Sequence, residues 1–222
     1  MGEVRQDKNE GDRWIQHYCS SHQILLVGEG DFSFAASLAR KFGDAVNMIA
    51  TSLDSKDDLI RCYPFAKTNL KELEDCRCSV LHDVDVHTMV SHPLLLSKSF
   101  DRIIFNFPHS GFYFKEDHWL QIFFHVRLVS GFFKSAVDML TENGEIHITH
   151  KTANPYSKWE IEKLAEEVGL YLLEKVPFVI FDYPGYVNRR GSGDRKAETF
   201  LVGQCSTFKF ALNLAGEFIH LV

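Results

Sequence analysis

Apolar runs at 23–27, 46–52, 79–84, 102–107 and 145–149 punctuate the first two thirds of the chain. They are short and strand-like, as expected of strands covered on both faces. Helical spacing fills the intervals at 32–42, 55–63, briefly at 86–91, and at 119–140. In the last of these, Leu128, Val129, Phe132, Phe133, Ala136, Val137 and Leu140 recur at the helical period. Asn143-Gly144 is expected to end that helix with a residue suited to a left-handed cap. Strands alternating with helices predict βαβ units and a parallel sheet. The end of the chain breaks the rhythm. After a helix expected over 157–168 come two extended segments, 171–181 and 198–212, joined by a loop at 182–196. With no helix between them, they predict an antiparallel pair. The α/β domain is therefore placed at 22–212, with 1–21 as a flexible or loosely docked lead-in and 213–222 as a tail.

The first strand opens into Gly28-Glu29-Gly30-Asp31-Phe32-Ser33, and a helix-compatible stretch follows. Strand, glycine-spaced loop and helix make the first crossing of a nucleotide-cofactor fold. Glycine lets the backbone turn sharply and approach a ligand without a Cβ in the way. The third position of the G-x-G-x-x-G pattern is Ser33, small but not glycine. A dinucleotide would set its pyrophosphate against this turn, where Glu29 and Asp31 repel it. S-adenosylmethionine carries no phosphate and brings a cationic sulfonium and ammonium. The acidic loop thus favours the methyl donor over NAD. The antiparallel end agrees, because parallel crossings closed by a C-terminal hairpin fit a Rossmann-like methyltransferase sheet better than a symmetric dinucleotide fold.

In open α/β sheets the ligand sits at the carboxyl ends of the strands. After the second strand, Asp54 stands where a ribose diol would be gripped, unless it only caps the helix that follows. After the third, Asp83 or Asp85 is placed to accept from an adenine amine, or to be a solvated turn acid. After the fourth comes Asn106-Phe107-Pro108-His109, next to the glycine loop across the switch point. Asn106 both donates and accepts, Pro108 stiffens the turn, and His109, with an ordinary pKa near ~6.5, can take a proton. The bland alternative is a polar turn with a satisfied histidine. His150 and Lys151 follow the fifth strand, where they would hold a phosphate or a base oxygen or simply lie on an exposed loop. Tyr186, Arg189 and Arg190 belong to the main cationic cluster, a phosphate-and-stacking surface or a solvated loop.

Composition narrows the classes. At 222 residues the chain suits one domain, and no apolar run approaches a membrane span. Five cysteines without framework spacing read as reduced intracellular thiols, in cytosol, nucleus or nucleolus. A net charge of −6 excludes a non-specific nucleic-acid coat but leaves room for a local basic patch. Most of the nineteen phenylalanines sit in apolar patterns and are read as core. His17, Cys19, His22, Cys76 and Cys78 lack the paired spacing of a zinc module, so no metal is assigned. No elbow geometry for a hydrolase is present.

Together these segments resemble one family. Leu26 to Phe34, Thr51-Ser52-Leu53-Asp54, Asn106 to His109, Gly144 to Thr152 and Tyr183 to Gly191 look like the motifs of the eukaryotic large-subunit rRNA uridine-N3 methyltransferases, and of a plant member in particular. The resemblance spans about residues 20–210. One segment departs, at 82–86: His82-Asp83-Val84-Asp85-Val86 has an acid where the family's pattern tends to glycine before Val-Asp-Ala. That favours Asp85 as the adenine contact. The resemblance implies S-adenosylmethionine as cofactor, held by Gly28, Glu29, Gly30, Asp31, Asp54 and Asp85. It implies an unpaired or flipped rRNA uridine as substrate, framed by Asn106, Pro108 and His109, with pre-ribosomal proteins as partners. The rivals are methylation of tRNA or a small molecule, and a non-catalytic RNA-binding or assembly factor on the same fold.

Overall fold

A computed structural model describes residues 11–213. The expected tail, apart from Asn213, and residues 1–10 of the expected lead-in lie outside the described residues. The remainder of the lead-in is docked rather than loose. Strands β1 (Trp14–Ile15) and β2 (Tyr18–Cys19) form an antiparallel ribbon that buries Ile15, Tyr18 and Cys19. The chain continues through β3 (Ile24–Val27), α1 (Ser33–Phe42), β4 (Met48–Thr51), α2 (Lys56–Cys62), α3 (Ala66–Asp75) and β5 (Ser79–Leu81). It ends with β6 (Phe100–Asn106), α4 (Trp119–Val137), β7 (Leu140–Lys151), α5 (Ile161–Glu166), β8 (Leu170–Pro177) and β9 (Cys205–Leu212).

Seven strands lie in the order β5-β4-β3-β6-β7-β9-β8. The first five pair in parallel, and β9 runs antiparallel between β7 and β8. This is the Rossmann-like methyltransferase sheet with its C-terminal antiparallel pair. Successive residues of a strand point to opposite faces. Leu25 and Val27 accordingly pack with Ile103, Phe132 and Ile146 on one face. Ile24 and Leu26 pack with Phe34, Leu38 and Ile104 on the other. Two-sided burial is why these strands read as unbroken apolar runs.

Several boundaries move, each for a local reason. Helix α4 stops at Val137, and Asn143-Gly144 lies inside β7, opposite a register shift at Phe100/Arg102. Gly144 serves close approach there, since a Cβ would meet the Phe100 carbonyl oxygen at 2.7 Å. The helix expected at 157–168 is broken at Glu160, whose φ is 50°. The helix expected at 86–91 shrinks to a single 3₁₀ turn, Met89–Ser91. Helix α3 has no counterpart in the apolar pattern, because only Ala66, Asn69 and Leu73 are buried. The C-terminal loop widens to 178–204, with Gly185, Gly191, Gly193 and Gly203 at positive φ holding it out of the sheet.

At the amino ends of the strands, away from the ligand end, a buried polar network fastens the ribbon. Arg102 Nη2 donates to Glu145 Oε1 at 3.1 Å, His147 Nε2 lies 2.7 Å from Glu145 Oε2, and His147 Nδ1 lies 3.2 Å from the Tyr18 hydroxyl. Burial pushes the Glu145 pKa up, but the His147 hydrogen bond and the Arg102 and Lys209 cations outweigh it and hold the carboxyl at about 2. A carboxyl lowered in this way stabilises the fold above about 4.5, its ordinary value, and the contribution is lost as pH falls towards about 2. Glu145→Gln leaves the Arg102 charge buried without its partner and is expected to cost on the order of 3–5 kcal/mol at pH 7. Thermal melts across pH check this. The difference between the two proteins should be largest at neutral pH and shrink below about pH 4.

Candidate functional site

The carboxyl ends of β3, β4 and β6 enclose a cavity of about 160 Å³. It is lined by Gly28, Glu29, Gly30, Asp31, Asp54, Asp85, Asn106, His109, Tyr186, Arg189 and Arg190 among others. A second cavity of about 340 Å³ adjoins it, lined by Pro108, Phe112, Glu116, His150, Lys151, Tyr156 and Phe200. His109, Phe107, Arg189 and Arg190 line both. The structure thus gathers the candidate residues into two joined chambers, with His150, Lys151 and Pro108 in the outer one. Tyr186, expected to meet substrate, lies instead in the wall of the inner chamber, its ring edge-on to Phe34 at 5.2 Å. Asp85 lines the inner chamber and Asp83 does not, which separates the two acids.

The glycine loop works through its acids. Gly28 has φ +66°, and a Cβ there would strike the Phe105 ring at 2.5 Å. Phe32 also turns left-handed, at φ 61°, and offers no side-chain cap to α1. The caps come from the two carboxyls. Asp31 Oδ1 accepts from Ser33 N at 3.1 Å, and Glu29 Oε2 accepts from Ala35 N at 3.2 Å. These N–H groups are the ones a pyrophosphate would use. Asn69 Nδ2 donates to the Asp31 carbonyl at 2.7 Å and braces the turn. Burial raises the Glu29 pKa to about 8, so this carboxyl holds its proton at neutral pH. The repulsion expected of two charges therefore falls on Asp31, while Glu29 excludes a phosphate by occupying its donor.

The C-terminal loop closes the inner chamber from above. Ser33 Oγ accepts from Val187 N at 3.0 Å and donates to Val187 O at 3.2 Å. The departure from a third glycine thus supplies the clasp. Arg189 Nε donates to Asp31 Oδ2 at 2.6 Å, and Lys196 Nζ donates to Asp54 Oδ1 at 2.9 Å. Asp54 does not cap α2; Ser55 does, its side chain accepting from Asp58 N. Asp85 Oδ1 accepts from His87 N at 2.9 Å and lies 2.8 Å from His87 Nδ1, contacts that lower its pKa.

Asn106 lines the inner chamber, one residue before Phe107, which lines both. Its Oδ1 and Nδ2 are both buried, and neither has a hydrogen-bond partner among the described residues. Buried polar atoms are rarely left unpaired, which makes this amide a candidate ligand contact. The next residue, Phe107, holds φ 49° immediately before Pro108, a conformation costly for a bulky residue. Its ring is braced between Phe178 and Phe200 at 5.5 and 5.4 Å. In the outer chamber, Lys151 Nζ sits 4.8 Å from both the Tyr156 and Phe200 rings, and Arg190 lies over Phe112 at 4.1 Å. His150 is buried, and burial lowers its pKa to about 4.

His109 proves to be part of a cluster that sequence reasoning missed. His109, Glu116 and His125 place three ligand-type atoms within 4.8 Å of one another. Gly111 N donates to His109 Nδ1 at 3.1 Å, and Ser110 N donates to His125 Nδ1 at 3.2 Å. The Nε2 atoms of both imidazoles face Glu116, at 2.9 and 3.3 Å, and His125 Nε2 also lies 2.9 Å from Gln121 Nε2. A metal on Nε2 would force a proton onto each Nδ1, against a backbone N–H. The cluster is a carboxylate held between two imidazoles. Burial raises the Glu116 pKa, but these hydrogen bonds prevail and hold it at about 2. Both ring nitrogens of His109 are engaged, Nδ1 by Gly111 N and Nε2 by Glu116. Gln121 and His125, polar residues four apart on the buried stripe of α4, carried the signal.

Fold and site together define a Rossmann-like methyltransferase, with a chamber at the carboxyl ends of the strands and a second chamber beside it. Residues 25–190 match the family model described as BMT5-like, rRNA (uridine-N3-)-methyltransferase BTM5-like. The chain belongs to this family, whose members depend on S-adenosylmethionine. It is 49% identical over 214 residues to heavy metal-associated isoprenylated plant protein 41 of Arabidopsis thaliana, covering 96% of this chain and 42% of that protein. The chain therefore spans less than half the length of that relative. It is 26% identical to the 25S rRNA (uridine(2634)-N(3))-methyltransferase of Saccharomyces cerevisiae, covering 86% of this chain and 71% of that protein. Among solved structures, NSun6 from Pyrococcus horikoshii with SFG shares the fold, with a TM-score of 0.56 and 16% identity over 86% of this chain and 48% of that one.

Glu29 yields a test. A carboxyl whose pKa the fold raises from 4.5 to about 8 contributes stability at low pH that is lost as pH climbs through that interval. Glu29→Gln keeps an acceptor for Ala35 N and cannot ionise. The two proteins should melt alike near pH 5, and the variant should melt higher at pH 9 by on the order of 5 °C in differential scanning fluorimetry.

Proposed function

We propose that the protein transfers a methyl group to N3 of a uridine in large-subunit rRNA, acting in the nucleolus or cytoplasm. The unpaired Asn106 amide, in the inner chamber beside the turn that lines both, carries this reading. A uracil edge presents an N3–H donor between two carbonyl acceptors. Asn106 Nδ2 is suited to donate to a carbonyl that flanks N3, which leaves the N3 position itself open to the methyl group.

Bound in the inner chamber, S-adenosylmethionine supplies a methyl group on a positively charged sulfur. Asp54 takes the ribose diol once Lys196 moves aside, and Asp85 takes the adenine amine. The N3–H proton leaves to water, and the Lys151 and Arg190 cations beside the ring stabilise the imidate that remains. Pro108 and the braced Phe107 hold the turn so that N3 faces the inner chamber, and positioning supplies the rest of the rate. Glu116 and His125 keep His109 in place as a wall of the base site. The relative in yeast, named for a uridine N3 of 25S rRNA, supports the choice of atom and RNA.

Methylation of stripped rRNA and tRNA pools, with the product nucleoside identified by mass spectrometry, tests the assignment. N3-methyluridine in the large-subunit rRNA is expected, and modification of tRNA alone would sink it. Asp54→Ala should weaken S-adenosylhomocysteine about tenfold or more by calorimetry, while Asn106→Ala should keep that affinity and lose methylation by about 100-fold. Absence of S-adenosylhomocysteine binding in the unaltered protein would favour a non-catalytic RNA-binding role.

A further inference from the structure

Outside the two chambers, the segment leading into α4 exposes large aromatic rings in an ordered array. Tyr113 is 70% exposed, Trp119 69% and Phe123 48%. Single exposed rings are ordinary, but a contiguous set is not. Trp119, His118, Phe114 and Phe124 form a near-parallel column. Their interplanar angles are 24°, 13° and 19°, and centroid separations run from 4.7 to 6.5 Å. Tyr113 abuts Phe124 edge-on at 5.6 Å. The outermost ring, Trp119, is thus the open end of a stack.

The array continues the site in one direction and a cationic strip in the other. Phe112 and Phe114 line the outer chamber. A groove lined by His109, Tyr113, Phe114, Phe124 and Arg127 runs out from it over α4. A further recess carries Arg127 and Lys134. Along the exposed face of α4, residues 119, 123, 127 and 134 read Trp, Phe, Arg, Lys. Arg127 lies over the Phe123 ring at 5.9 Å. Among the described residues, neither Arg127 nor Lys134 has a carboxylate within salt-bridge distance. Two exposed cations beside an aromatic array, in a protein of net charge −6, suit an anionic occupant.

We propose that this face docks unpaired RNA flanking the target base, with neighbouring bases stacking on the Trp119–Phe123 rings and phosphates meeting Arg127 and Lys134. Stacking platforms beside backbone-tracking cations are how single strands are held without sequence readout. The geometry suits a nucleotide already unstacked from its neighbours, because the rings replace the stacking that the RNA gives up. This inference rests on the RNA-methylating reading above.

Titration of the full chain with a short labelled oligouridylate tests it. Trp119→Ala/Phe123→Ala should weaken binding about tenfold or more, and Trp119→Phe, which keeps a stacking ring, should bind like the unaltered protein. Arg127→Gln/Lys134→Gln should lower the slope of log K against log salt by about 1.4, the value for two lost phosphate contacts on a single strand. S-adenosylhomocysteine affinity should be unchanged in all of them, which shows that they fold and keeps the cofactor reading separate. Unaltered RNA affinity in both double variants, with cofactor binding intact, overturns the proposal. A change in sedimentation of the aromatic variant without a change in RNA affinity also overturns it, by showing that the face pairs copies of the chain.

Discussion

The amino end of α1 governs what this site can be. Four N–H groups at a helix start need acceptors, and in dinucleotide folds a phosphate provides them. Here Glu29 and Asp31 provide two of them from the same chain. The choice has two consequences. A phosphate finds its donors taken, and the turn is stiff before any ligand arrives. Asp31 then anchors Arg189, so the cap of the first helix is also the attachment point of the loop that roofs the chamber.

That loop joins the two chambers physically. Arg189 and Arg190 line both, Ser33 clasps Val187, and Lys196 reaches Asp54 at the ribose position. The candidate cofactor residues and the candidate substrate residues are therefore not independent sets. A carboxylate expected to hold a ligand is already paired with a lysine, and the basic patch expected on a solvated loop is in part folded inward.

Much of the fold was legible because two-sided burial writes parallel strands as unbroken apolar runs, as in Ile24–Val27. The C-terminal pair was legible from the missing helix between two extended segments. Helix α3 escaped notice because three buried residues in ten leave too narrow a stripe. The ribbon at Trp14–Cys19 escaped because its anchor is a hydrogen bond from Tyr18 to a histidine 129 positions away, and no local pattern encodes that. In the site, residues placed by strand ends, such as Asp54 and Asn106, were readable from topology. Glu116, His125 and Lys196 were not, since their partners come from distant elements. Charge was the least legible quantity: Glu29 counts as an anion in the sequence, yet burial keeps it protonated.

The position of β9 bears on what holds the roof in place. This strand follows β8 in the chain yet inserts between β7 and β8. It ties down one end of the roofing loop through Phe178 N, which donates to the Cys205 carbonyl, while Thr152 N donates to the Gln204 carbonyl at the other end. Without residues 205–212 the loop would keep its contacts to Ser33, Asp31 and Asp54 but lose the tie at Phe178. The roof of the inner chamber thus depends on a strand that lines neither chamber.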